Sequence, residues 1–124
     1  MKEYITGDLL HYKICNAKYL IEVTNTSKHG YCFKGVKDNF NGVICDEFIE
    51  DIPLTPEILE KNGWKKDKDG YFNDSYHIRL CKSNTNYAAY KVVNNSIVWL
   101  RAVENVPDLQ HLLFGLDISL KIEV

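Results

Sequence analysis

Apolar and polar side chains alternate with a period of two through the first fifty residues, the spacing of strands that bury one face. Leu10, Tyr12 and Ile14 fall on one face of a first strand. Tyr19, Ile21 and Val23 share a face of a second, with Glu22 and Thr24 turned outward. The polar cluster from Asn25 to Gly30, His29 included, reads as a turn, after which Tyr31, Phe33 and Val36 begin a third strand. A second polar cluster, Asp38 to Gly42, leads into Val43, Ile44 and Cys45 as the fourth. Short strands joined by tight turns pair with their neighbours, so residues 1–51 predict an antiparallel meander or a small curled barrel.

The pattern changes over Ile52-Pro53-Leu54-Thr55-Pro56-Glu57-Ile58-Leu59-Glu60-Lys61-Asn62-Gly63. Thr55 is placed to cap a helix, Pro56 suits its first position, Glu57 and Glu60 suit its positive end, and Gly63 suits a left-handed stop. The result is a two-turn helix over 55–63, with Leu54, Ile58 and Leu59 apolar and Trp64 as an anchor; a helix so short needs packing to hold it. Lys65 to Gly70 then reads as a turn. A second strand group follows over 71–103: Tyr76, Ile78 and Leu80 alternate with His77, Arg79 and Cys81, and Tyr87, Ala89 and Lys91 with Ala88, Tyr90 and Val92. Asn94-Asn95 is a two-residue hairpin signal, since Asn tolerates positive φ, and Ile97 to Ala102 is the return strand. Leu109, Leu112, Leu113 and Leu116 recur at helical spacing, predicting a helix over 106–116 with Asn105 as N-cap. Residues 117–124 alternate again and predict a closing strand. The chain thus reads as one α+β domain, mostly antiparallel β with two short helices.

Composition narrows the function classes. The chain has 124 residues, 45% of them hydrophobic, enough for one core without a metal or disulfide staple. Fifteen basic and 17 acidic side chains leave a net charge of -2, which argues against generic nucleic-acid binding because that affinity comes from a basic excess. No apolar run approaches the roughly 20 residues that span a bilayer. The first residues carry no apolar signal region, so a cytoplasmic location with reduced thiols is expected. Cys15, Cys32, Cys45 and Cys81 lack metal-ligand spacing, and three of them lie in apolar runs where they read as small core hydrophobes. No cofactor is implied. Thirteen of the basic residues are Lys, and with eleven Asn and eight Tyr this looks like coding bias of an AT-rich genome. Against that drift the two arginines, Arg79 and Arg101, stand out, because a guanidinium fork suits carboxylate or phosphate.

The Ile52 to Trp64 segment, the closing run Leu109-Gln110-His111-Leu112-Leu113-Phe114-Gly115-Leu116 and the opening Gly7-Asp8-Leu9-Leu10 together resemble a group of small uncharacterised proteins of gut bacteria, their phages and mobile elements. The resemblance spans most of the chain and implies a genomic setting in which accessory proteins act on host machinery or host immunity. It implies no catalytic residues.

Catalytic motifs are missing from the residues themselves. His11, His29, His77 and His111 have no partnered carboxylate spacing, and the pairs Asp46-Glu47 and Glu50-Asp51 read as solvated charges near a helix start. A binding role is therefore expected. His77, Arg79, Tyr90, Trp99 and Arg101 would form a patch for a planar anionic ligand such as a nucleotide, by stacking and bidentate hydrogen bonding, if their strands share a sheet. The plainer alternative is that these aromatics are strand formers filling sheet faces. The reading is a non-enzymatic binding protein, as a phage-encoded anti-defence factor sequestering a nucleotide-type signal. A protein-protein interaction module for a host factor is the alternative, and a small hydrolase comes third. Homo-oligomerisation through an exposed strand edge, such as the terminal strand, is also expected.

Overall fold

The structure is a computed structural model that describes residues 3–28 and 30–124, so the turn expected at His29 lies outside the described residues. It is mostly antiparallel β with two helices, as the alternation predicts. The chain forms two compact units, Met1–Ile52 and Pro53–Val124, each built on its own five-stranded sheet.

The first unit is a meander of β1 (Leu9–Ile14), β2 (Ala17–Ser27), β3 (Gly30–Gly35) and β4 (Asn41–Ile44), with β5 (Ile49–Asp51) added on the far side of β1. Its order is β4-β3-β2-β1-β5, every neighbouring pair antiparallel. Two features differ from expectation. Asn25 to Ser27 extend β2 instead of turning, because a register shift between Val23 and Asn25 lets the polar run keep pairing with β3. The fifth strand follows a 3-10 turn, Asp46–Phe48, and at three residues it is too short to display a period. Leu10, Ile21, Val23, Tyr31, Phe33 and Ile44 make the core cluster, as the alternation in β1 to β4 requires, while Ile14 and Val36 stay exposed.

The second unit opens with α1 (Pro56–Lys61), whose Thr55 hydroxyl accepts from the Ile58 N–H at 3.3 Å and whose stop is Asn62 followed by Gly63 at φ +86°. Trp64 is buried, as an anchor should be. Then come β6 (Lys65–Lys66), β7 (Gly70–Asn73), β8 (Ile78–Lys82), β9 (Tyr87–Val93) and β10 (Ser96–Val103), a meander in the order β10-β9-β8-β7-β6. Lys65 and Lys66 pair with β7 as a two-residue edge strand where a turn was expected. Asn94 and Asn95 take φ of 48° and 67°, the positive pair that a two-residue hairpin needs to match the strand twist. One face of this sheet is buried through Tyr71, Ile78, Leu80, Tyr87, Ala89 and Val103.

Helix α2 (Val106–Gly115) is capped by Asn105, whose Oδ1 accepts from the Asp108 N–H at 2.9 Å, and it buries Leu109, Leu112 and Leu113. The strand expected over 117–124 does not form. Asp117, at φ 58°, turns the chain out of α2, and the tail is then held by a side chain in place of a ladder. Asn62 Nδ2 donates to the Glu123 carbonyl and Asn62 Oδ1 accepts from the Glu123 N–H, both at 2.7 Å. One amide thus satisfies both backbone groups of residue 123, which a neighbouring strand would otherwise do, while Ile122 is buried. Among the described residues no helix is long and apolar enough to cross a membrane.

Candidate functional site

The pairing registers of the second sheet align one residue from every strand. Lys65 is opposite Phe72, Phe72 opposite Arg79, Arg79 opposite Tyr90, and Tyr90 opposite Trp99. Directly opposed residues of antiparallel strands point to the same side, so these five side chains form one row. They alternate with Tyr71, Leu80 and Ala89, which are buried, and the row therefore lies on the outward face. Four inter-strand steps of about 4.8 Å make it roughly 19 Å long. Trp99 is 60% exposed, whereas Trp64, the other tryptophan, is 2% exposed.

Three of the five expected site residues, Arg79, Tyr90 and Trp99, are brought together here. Arg101 is not. A bulge between Trp99 and Arg101 inserts Leu100 without a partner, so Arg101 pairs with Ala89 and is carried off the Tyr90 side. Its guanidinium instead bonds the Asp108 carboxylate at 3.2 Å in the first turn of α2 and donates from Nε to the Ala102 carbonyl. Alternation alone puts residues 99 and 101 on one face, and only the bulge separates them. His77 is not on a strand face either. It occupies the turn before β8 at φ 55°, within reach of the row through a shallow cavity of about 240 Å³ lined by Phe72, Asp74, His77, Arg79 and Val92 among others. Phe72, absent from the expected set, is central to the site. Its signal was present in the sequence as Tyr71-Phe72, but which of the two faces outward depends on register.

Arg79 is already engaged. It forms an ion pair with Asp67 and its guanidinium lies 5.9 Å from the Phe72 ring centroid, a cation-π distance. The Asp67 carboxyl is held below its ordinary value, first by the Asp69 N–H, with Arg79 adding to the effect against the opposing pull of desolvation. Asp67 Oδ1 also accepts from the Gly70 N–H at 3.0 Å, so the carboxylate that orients Arg79 is itself fixed by the β6–β7 turn. The arrangement presents a rigid cation between aromatic rings, with further guanidinium N–H groups beyond the one given to Asp67.

In the first unit titratable groups gather around Glu50. His11 lies in β1 opposite Glu50, and His111 lies in α2. Glu50 pairs with Lys18 at 2.9 Å and Lys13 at 3.8 Å, and Asp51 accepts from the Tyr4 hydroxyl at 2.8 Å. The thiols do not pack into cores as expected: Cys15 and Cys45 are exposed and Cys32 and Cys81 are half-buried, all four unpaired. Cys15 sits at φ 54° in the β1–β2 turn, just past the end of β1. Among the described residues no group of three His, Cys, Asp or Glu stands together as a metal site. Comparison with protein-family models, with curated proteins and with solved structures yields no match.

Proposed function

We propose that the protein is a non-enzymatic binding module whose ligand lies along the outward face of the second sheet. The observation that carries this reading is the row Lys65, Phe72, Arg79, Tyr90, Trp99, in which cations and aromatic rings share one side of five strands. Rings on a sheet surface stack flat partners, and stacking contributes roughly 1–3 kcal/mol per base where nucleobases are held this way. A nucleotide-type ligand would stack on Trp99 and Tyr90 and direct its anionic part to Arg79 and His77. The resemblance to phage and mobile-element proteins gives that reading its biological form, the sequestration of a nucleotide signal used in host defence. A host-protein partner is the second reading. It is favoured by the fact that both guanidiniums already bond carboxylates, Arg79 to Asp67 and Arg101 to Asp108, which lowers their value for capturing phosphate.

The two tryptophans supply the test, because ligand contact on this face reaches Trp99 and not the buried Trp64. Titration with linear and cyclic mono- and dinucleotides is expected to quench tryptophan emission, to raise the melting temperature, and to return the nucleotide unchanged. Trp99→Phe should abolish the quench, and Arg79→Ala should weaken binding by about tenfold or more, the loss of one charge-assisted contact. Hydrolysis of the nucleotide would point to the third reading, a small hydrolase. If no nucleotide at millimolar concentration alters either signal, the nucleotide reading falls. Capture of a host protein that Trp99→Ala abolishes would then establish the second.

A further inference from the structure

From the free edge of the second sheet we infer that β10 pairs antiparallel with β10 of a second copy, about a two-fold axis at Val98, so that the two outward faces become one continuous surface. The edge is chemically open. The Val92 N–H bonds the His77 carbonyl immediately before β8, so residue 92 turns its backbone groups away from β10, and its partner Ile97 correspondingly turns its own away from β9. Ile97 and Trp99 therefore offer their N–H and C=O groups to the sheet edge. Every residue from Val92 to Trp99 is exposed. The sheet's other edge, β6, consists of Lys65 and Lys66, and β5 in the first unit carries Glu50 and Asp51. Charge of this kind discourages strand addition. From Ser96 to Leu100, β10 has no charge and no proline.

The occupant is a second copy because the strand is complementary to itself. With Val98 opposite Val98, each Ile97 stands opposite the Trp99 of the other copy, and both pairs are edge-facing residues that exchange hydrogen bonds. An aromatic opposite a β-branched residue is a favourable cross-strand pair, and symmetry supplies it twice. Both pairs fall on the outward face, so the row of one copy would continue through Ile97 of the other. The partner thus adds a residue beside Trp99 in the candidate site. Val92, Val93, Ile97, Val98 and Trp99 are between 38% and 65% exposed. Val92, Ile97 and Trp99 present theirs on the outward side of the edge and Val93 and Val98 on the other, together on the order of 400–500 Å² of surface per copy. Two copies contribute about 900 Å², below the range of roughly 1,200–2,000 Å² for stable complexes, so the dimer should be reversible and concentration-dependent.

This inference does not depend on the ligand's identity, and its test reads association alone. Sedimentation velocity from about 5 to 200 µM, the range in which weak dimers populate, is expected to show the mass rising from 14.4 kDa toward twice that value. Val98→Lys sets two ammonium groups opposite each other on the axis and should keep the chain monomeric throughout. Val98 is half exposed and on the opposite side from Trp99, so the variant should fold, as its circular dichroism will verify. Val98→Cys should form a disulfide dimer faster than the parent chain with its four native thiols, since a non-hydrogen-bonded pair sets Cα atoms about 4.5 Å apart. Ser96→Cys, which this register places opposite Leu100, should not. A parent chain that stays monomeric, equal cross-linking at positions 96 and 98, or a β10 edge that captures a different protein while the chain stays monomeric would each overturn the proposal.

Discussion

The two units each rest on a five-stranded antiparallel sheet and differ in which face carries most of the sheet's aromatic side chains. In the first sheet Tyr12, Phe33, Phe40 and Tyr19 close a ring of tilted or edge-on contacts, with centroids 5.5, 5.5, 5.6 and 6.2 Å apart around it. Three of the contacts set a ring's positive edge against a neighbour's negative face and the Tyr12–Tyr19 contact is tilted, and Tyr12, Phe33 and Phe40 pack with the Leu10 and Ile21 core. The charges of this sheet are likewise paired with one another across strands, Glu22 with Lys34 and Glu50 with Lys13 and Lys18. In the second sheet Phe72, Tyr90 and Trp99 sit in a line on β7, β9 and β10, with Arg79 of β8 between the first two. Identical residue types at identical periodicity therefore stabilise a core in one sheet and form a surface in the other. What separates them is the face that carries the rings: the quartet shares the side of buried Leu10 and Ile21, where the second sheet has the edge-on pair Tyr71 and Tyr87, while Phe72, Tyr90 and Trp99 stand on the outward side.

The largest effect that would break this comparison comes from deleting one ring on each side. Phe33→Ala should cost about 3–5 kcal/mol, the usual loss for a buried phenylalanine whose neighbours cannot close the cavity, since Phe33 is 4% exposed and contacts both Tyr12 and Phe40. Trp99→Ala, at a 60% exposed site, should stay within about 0.5 kcal/mol of the parent. Urea denaturation of the two variants measures both. A Trp99 variant as unstable as the Phe33 one would mean that the outward row is a packing surface, and the functional reading of the second sheet would lose its foundation.

A smaller effect tests how the second unit is finished. The Asn62 side chain donates to the Ile58 and Glu123 carbonyls and accepts from the Glu123 N–H, each at 2.7 Å. Asn62→Ala should cost about 1–3 kcal/mol, the range for leaving such partners unsatisfied, and should abolish hydrogen-exchange protection at Glu123. Asn62→Asp sharpens the point. It preserves the acceptor for the Glu123 N–H but sets a carboxylate oxygen against the Glu123 carbonyl, so it should rescue little. Full stability in both variants would show that Ile122 burial alone holds the tail.

These sites also mark how far the sequence could be read. Local chemistry was legible: the Thr55 and Asn105 caps, Pro56, Gly63 and the Asn94-Asn95 turn each act through neighbours within four residues, and each forms as its residue type demands. The alternating strands were legible for the same reason. What escaped was set by pairing across the sheet. The Leu100 bulge moves Arg101 to Asp108, and no periodicity in one strand can reveal an offset that exists only relative to Tyr90 and Ala89. The terminal residues alternate like a strand, yet the tail's partner is the Asn62 amide, so its alternation reports burial of Ile122 without pairing. The outward row was thus half legible: Arg79, Tyr90 and Trp99 stand in it, Phe72 stands in it without having been expected there, and Arg101 lies off it.

The smallest expected effect concerns the imidazole of His11 in the first sheet. His11 is half-buried on β1, its Nδ1 is buried with no hydrogen-bond partner, and its pKa is lowered from 6.5, chiefly by burial and secondly by the Lys18 ammonium, against an opposing pull from Glu50. A folded chain that resists protonation binds fewer protons than the unfolded chain in the interval just below 6.5, and there stability rises with pH. On acidification the loss therefore begins near pH 6.5 and is complete once the pH has fallen through the folded value; above that interval this group contributes no slope. His11→Gln, similar in bulk and uncharged, should flatten the melting temperature across the interval, while the row in the second sheet, which contains no histidine, should respond to ligand equally in both proteins. Melting curves collected from neutral to mildly acidic pH decide it: if parent and variant lose stability in parallel, His11 is not the source of the slope, and the Glu50 pair with Lys18 is no substitute, because a carboxyl held below 4.5 gives up its stabilisation only at lower pH.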